Sequence, residues 1–155
     1  MPSERLARLR LLLGDDGLTA LERSTVLVLG LGGVGSACAA ALARGGVGTL
    51  AVLDGDTVDE SNINRQTIAF VSTIGRPKAD LMREMIADIN PDARVVASQQ
   101  FLTRENVAEV LDALPRPDYV IDCIDTVSQK LAVYEWCAEP VSYTHLRAHE
   151  TGRNL

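Results

Sequence analysis

Two cations and a small set of carboxylates carry the chemistry open to this chain. Arg65 and Lys78 follow a glycine-rich turn (Gly30, Gly32, Gly33, Gly35), and Asp122-Cys123-Ile124-Asp125 follows later. A triphosphate being cleaved redistributes charge onto its oxygens, so its site needs positive charge beyond loop amides. Arginine supplies a two-pronged fork and lysine a point charge. A metal ion is the usual third component. Asp125 is the candidate to hold Mg²⁺, a hard ion that prefers oxygen. Asp122 and Asp125 need not aim at one ion, and Asp122 is expected to orient loop backbone instead.

The glycines lie where an apolar run, Val26 to Leu29, gives way to an alanine-rich one. At a strand-to-helix turn they allow a tight bend and close approach of backbone to a phosphate. The helix that follows aims its unpaired N–H groups and positive dipole end at the anion. Asp54 stands 22 residues after Gly32, where an acid can accept hydrogen bonds from ribose hydroxyls. Asp56, Ser61, Asn62, Asn64, Arg65 and Gln66 lie on the polar stretch that follows, and Thr126 lies beside Asp125. Plain alternatives exist for each. Arg65 and Lys78 can be solvated surface charges, Asp125 a helix cap, and Ser61, Asn62 and Asn64 turn formers. NAD is the alternative ligand, and an NAD-dependent oxidoreductase the alternative enzyme.

The elements that must position these groups alternate along the chain. Residues 4–13 read as a short helix that Gly14 to Gly17 breaks, and 18–23 resume helical spacing. Strands are expected at Val26–Leu29, Thr49–Leu53, Arg94–Ala97 and Tyr119–Ile124. Helices are expected at Ser36–Arg44, Arg76–Ile89, Val127–Cys137 and from a Thr103 cap to Leu114. Residues 57–72 read as irregular. This is an α/β pattern: a Rossmann-like, mostly parallel sheet flanked by helices. The polar clusters fall at the carboxyl ends of the strands, where open α/β sheets bind ligands.

The 155 residues suit about one domain, and 46% hydrophobic residues suffice for a core. Aromatics are only 4%, so Ala, Val, Leu and Ile must fill it. A net charge of −6 argues against a broad nucleic-acid-binding face on this piece alone. No signal peptide or membrane span is read. Cys38, Cys123 and Cys137, widely spaced, suit a reducing cytoplasm and offer neither a disulfide framework nor a zinc pair.

Four motifs in order, GLGGVGS, LDGDTVDESNINRQ, STIGRPKA and INP, resemble the ATP-binding domain of the ubiquitin-activating-enzyme-like adenylyltransferases. That ThiF/MoeB/HesA superfamily includes activators of small sulfur-carrier proteins. The resemblance covers roughly residues 4–139. SNINRQ, RPKA and YVIDCIDTVSQKLAVYEWC look like the tRNA threonylcarbamoyladenosine dehydratase branch. The sulfur-carrier activators usually have Asn where Thr126 stands, followed by an Arg, whereas Lys130 comes later here.

The resemblance implies that Gly33 and its neighbours cradle phosphate and that Asp54 binds ribose. Ser61, Asn62, Asn64 and Arg65 would line the nucleotide, Lys78 would contact the triphosphate, and Asp125 would hold Mg²⁺. It further implies a homodimer in which an N-terminal arginine, Arg8 or failing that Arg5, reaches the partner's ATP. The implied reaction uses ATP to activate the carboxylate of threonylcarbamoyladenosine in tRNA. An acyl adenylate precedes closure to a cyclic hydantoin, with net loss of water. A sulfur-transfer protein is a further implied partner. The alternative in the same superfamily adenylates the C-terminus of a ubiquitin-like sulfur carrier.

Residues 1–24 are thus expected as a helical arm and 25–140 as the ATP-binding domain. Residues 141–155, VSYTHLRAHETGRNL, depart from the family and resemble a translated sequencing adapter, so they read as a non-native tail. The chain would then be the N-terminal nucleotide-binding half only, and an inactive fragment is the remaining alternative.

Overall fold

The computed structural model describes residues 4–138 and 145–146. After a single 3₁₀ turn at Glu4–Leu6, α1 (Ala7–Arg23) leads into β1 (Thr25–Leu29), α2 (Gly33–Arg44) and β2 (Thr49–Leu53). Then come α3 (Lys78–Ile89), β3 (Arg94–Ser98), α4 (Val107–Asp112), β4 (Tyr119–Asp122), α5 (Val127–Ala138) and β5 (His145–Leu146). The strands form one parallel sheet in the order β3-β2-β1-β4-β5. Parallel strands need crossover connections, and the helices supply them.

After Thr25, β1 is unbroken apolar sequence because both of its faces are covered. Val26 and Val28 belong to a core with Ala39, Ala40 and Ala43 of α2 and Met82 and Ile86 of α3. Leu27 and Leu29 belong to a second core with Val110 and Leu111 of α4 and Ala132 and Val133 of α5. Leu27 is fully buried, and cutting such a side chain to alanine costs about 2–5 kcal/mol. The alanine run of α2 also has a packing reason: small side chains let the helix sit close on the sheet.

The expected break in the N-terminal helix is a kink at Gly14 alone, which takes φ 69° while Asp15 to Gly17 stay helical. No residue of α1 is buried, and Leu11 and Leu12 are 85% and 81% exposed. The expected helix from Thr103 to Leu114 is shorter at both ends. Thr103 Oγ1 accepts the Asn106 amide at 3.3 Å, and Asn106 Oδ1 accepts the Thr103 amide at 2.7 Å. That reciprocal pair closes a turn before α4 starts at Val107. β4 stops at Asp122, two residues short of the expected Ile124.

Of the expected tail, His145–Leu146 pair in parallel with Tyr119–Val120 of β4. The rest of 141–155 lies outside the described residues. Among the described residues no helix is long and apolar enough to cross a membrane.

Candidate nucleotide site

A cavity of about 680 Å³ opens at the carboxyl edge of the sheet. It lies where the chain order reverses, with β2 on one side of β1 and β4 on the other. That position is where doubly wound sheets take ligands. The loops after β1, β2, β3 and β4 all reach it.

The turn after β1 is built by its neighbours. Gly30 donates its amide to Leu53 O of β2 at 2.8 Å, and Cys123 donates to Leu29 O at 2.8 Å. Gly30 sits at φ 85°, and a Cβ there would lie 2.8 Å from Cys123 O. At Gly35 a Cβ would fall 1.7 Å from Gly30 O, so no side chain fits. Gly35 therefore shapes the turn without lining the cavity, whereas Gly30, Gly32 and Gly33 line it.

Asp54 is 9% exposed and spends one hydrogen bond per oxygen on this architecture. Oδ2 accepts the Leu31 amide at 2.6 Å and Oδ1 the Asp56 amide at 2.7 Å. A carboxylate oxygen has a further lone pair, so Asp54 can organise the turn and still face a ligand in the cavity. Asp56 is the more open acid, with its side chain 57% exposed.

Arg65 and Lys78 arrive by different routes. Asp59 caps a turn of 3₁₀ helix (Glu60–Asn62): its Oδ1 accepts the Ser61 amide, and Asn62 Oδ1 accepts the Asp59 amide. Hydrogen bonding from Ser61, side chain then backbone, holds the Asp59 carboxyl below its usual range. The amides of Arg65 and Gln66 then bond to Asn62 O. This lays the Arg65 stem against Gly33, where a Cβ would meet Arg65 Cγ at 3.5 Å. The guanidinium is steadied by Ser61 O and Asn64 Oδ1. Lys78 comes in because residues 56–58 bond back to 75–78. Its side chain is 7% exposed and its Nζ stands 3.5 Å from Asp56 Oδ2. That burial removes the surface-charge alternative for Lys78, while Arg65 remains exposed.

The cavity thus gathers Gly30, Gly32, Gly33, Asp54, Asp56, Asn62, Arg65, Gln66, Lys78, Asp125 and Thr126. Ser61 and Asn64 stand behind Arg65 and do not line it. Arg8 is an exposed residue of α1 and is not part of the cavity wall of its own chain. Asp122 orients loop backbone: it is 3% exposed and its Oδ1 accepts the Ile124 amide at 2.9 Å. Asp125 is exposed in the cavity wall. Among the described residues no three His, Cys, Asp or Glu side chains cluster as a metal cage. A lone carboxylate suits Mg²⁺, which is usually held by one or two carboxylates plus phosphate oxygens and waters.

Sequence reasoning missed Gln100, Phe101, Leu102, Cys123 and Gln129 as lining residues. The Phe101 ring is 59% exposed and lies against Gly55, where a Cβ would come within 2.5 Å of it. The signal was available only in part: the capped turn at Thr103 places residues 99–102 just after β3, and β3 lies beside β2. Gln66 Oε1 is buried without a hydrogen-bond partner among the described residues.

Comparison with known proteins follows the same lines. The profile of the ThiF family matches residues 3–146. The tRNA threonylcarbamoyladenosine dehydratase of Bacillus subtilis is 47% identical over 133 residues, covering 86% of this chain and 52% of that protein. Its Escherichia coli counterpart is 40% identical over 81% of this chain and 46% of that protein. The Escherichia coli sulfur carrier protein ThiS adenylyltransferase is 39% identical over 79% and 48%. The crystal structure of the Escherichia coli dehydratase in complex with ATP superposes with a TM-score of 0.85 at 36% identity, covering 92% of this chain and 58% of that one. The chain spans about half the length of these relatives.

Proposed function

The chain belongs to the ThiF family, and from that premise we propose that it forms the ATP-binding half of an enzyme that adenylates a carboxylate. The carboxylate is that of threonylcarbamoyladenosine in tRNA, which then closes to a cyclic hydantoin with loss of water. The observation that carries the reading is the convergence of Arg65, Lys78 and Asp125 on the glycine turn in one cavity. The tRNA substrate follows the dehydratases, of which the Bacillus subtilis relative is more alike than the carrier-activating one.

In this reading the sheet order lays the nucleotide out. The base lies toward the β3 side, with the Phe101 face available for stacking, and the ribose meets Asp54 and Asp56. The phosphates cross the glycine turn toward β4. Amides at the start of α2 and the guanidinium of Arg65 receive phosphate oxygens, and Lys78 adds a buried point charge. Asp125 would hold Mg²⁺, and the ion would supply positive charge against the triphosphate.

Charge supports this division. Three carboxylates (Asp54, Asp56, Asp125) face two cations (Arg65, Lys78) in the cavity wall. A polyanion entering such a site needs further positive charge, which Mg²⁺ and Arg8 from a second copy of the chain provide. Attack by a carboxylate oxygen on the α-phosphorus expels pyrophosphate. The chain's part is positioning and charge stabilisation, with no enzyme nucleophile.

The test is ATP–pyrophosphate exchange by the whole protein. Exchange that requires threonylcarbamoylated tRNA supports the reading. Exchange that requires a sulfur-carrier protein instead moves the enzyme to the carrier-activating branch, and NAD binding unaffected by ATP–Mg²⁺ overturns both.

A further inference from the structure

Lys130 lies outside the nucleotide cavity, yet it closes the loop that forms one wall of it. Its Nζ stands 3.2 Å from Asp122 Oδ2, and the Asp122 side chain is fully buried while that of Lys130 is 23% exposed. The other Asp122 oxygen accepts the Ile124 amide. The amides of Gln129 and Lys130 both bond to Thr126 O at 3.1 Å. The Lys130 side chain therefore reaches from the first turn of α5 back to the end of β4 and ties off residues 123–126.

An asparagine at 122 would accept the Ile124 amide without a charge. The buried carboxylate does the same work and brings a negative charge three residues from Asp125. The cavity wall already carries more carboxylates than cations. Left unpaired in a low-dielectric interior, Asp122 would oppose a triphosphate strongly. We infer that Lys130 is a positioning residue of the nucleotide site: it neutralises Asp122, so that this carboxylate can fix the Asp125 loop without repelling the phosphates. The inference rests on the ATP reading above and goes beyond it, because Lys130 does not line the cavity.

Binding of ATP–Mg²⁺ and of adenosine, measured by calorimetry on the full chain, tests it across three charge states. Lys130→Met leaves Asp122 unpaired and should weaken ATP about tenfold or more, with adenosine little changed. Asp122→Asn leaves Lys130 unpaired and should bind ATP more tightly than wild type. The double variant Asp122→Asn/Lys130→Met restores neutrality and should return ATP affinity to within about threefold of wild type. ATP binding unchanged in Lys130→Met, ATP and adenosine lost in equal proportion, or weaker ATP binding by Asp122→Asn would each overturn the role. If Lys130→Met does not fold, wild type, Asp122→Asn and the double variant decide the matter. A wild-type chain that binds no ATP removes the nucleotide reading and this inference together, whereas wild-type binding with the wrong order among variants removes the inference alone.

Discussion

Asp54 accepts the Leu31 amide at 2.6 Å, and that bond fastens the glycine turn to the end of β2. The same side chain holds the Asp56 amide. Replacing Asp54 by alanine leaves two amides without their acceptor, one of them buried. The cost should be about 1–3 kcal/mol per buried orphaned donor, read as a lower Tm together with lost ATP affinity. Asp54→Asn keeps only one good acceptor and should fall between. A Tm unchanged in Asp54→Ala would show that the turn does not depend on this carboxylate.

Arg65 and Lys78 separate function from fold in opposite degrees. Arg65 is exposed, so Arg65→Ala should leave Tm within a few degrees while ATP-dependent turnover of the whole protein falls by about 10²–10³-fold. Lys78→Ala should cause a comparable loss of turnover. Because Lys78 is buried near Asp56, that variant should also lower Tm. Unchanged turnover in both variants would remove the proposed triphosphate site.

Phe101 offers an exposed aromatic ring in the cavity wall. Removal of an aromatic that stacks on a base costs about 1–3 kcal/mol. Phe101→Ala should therefore weaken ATP by about 5- to 150-fold, whereas inhibition by tripolyphosphate should persist. Phe101→Trp should restore binding. Equal loss of ATP and tripolyphosphate binding would place the ring elsewhere than on the base.

At Gly35 the space for a Cβ is taken by Gly30 O, 1.7 Å away. The neighbouring atom is backbone and cannot swing aside. Gly35→Ala should destabilise the chain by at least about 3 kcal/mol, seen as loss of a cooperative melt or a large drop in Tm. Gly75→Ala makes the comparison, since its Cβ meets nothing within 4 Å and its strain comes only from φ 82°.

The Asp59 carboxyl is held below the ordinary aspartate value of 3.8, first by hydrogen bonding from Ser61 and further by the charge of Lys78. A folded-state pKa below the unfolded one means the ionised carboxylate supports the fold above the unfolded value. That support is lost as pH falls through the lowered folded value. The turn carrying Asn62 and Arg65 therefore stays intact near neutral pH and loosens only in acid. Titration of the Asp59 side-chain carboxyl by NMR checks this, and a midpoint at or above 3.8 would contradict it.

Much of this was legible in the residues because single segments encode it. β1 and β2 read as strands since sheet burial on both faces demands unbroken apolar runs, and Thr49–Leu53 is the strand expected. Gly30, Gly32, Gly33, Asp54, Arg65, Lys78 and Asp125, singled out by residue type and spacing, do meet in one cavity. The start of α4 was not legible, because Thr103 and Asn106 both have capping side chains and bond to each other before the helix begins. Phe101 and Gln129 were not, because only the strand order β3-β2-β1-β4 brings their loops to a common edge. No local spacing contains that order. The salt bridge from Lys130 to Asp122 spans eight positions across a loop, and nothing in either residue alone marks it.

The glycine turn is held from both sides, by Leu53 O of β2 and Asp54 just after it, and by the bond from Cys123 after β4 to Leu29. It is therefore no portable cassette. A peptide covering residues 26–44 would carry every glycine and none of the seat, and a host scaffold would have to lend both flanking strands along with it. Drift in β2 or β4, far from any phosphate, would then surface first as a failure to hold nucleotide.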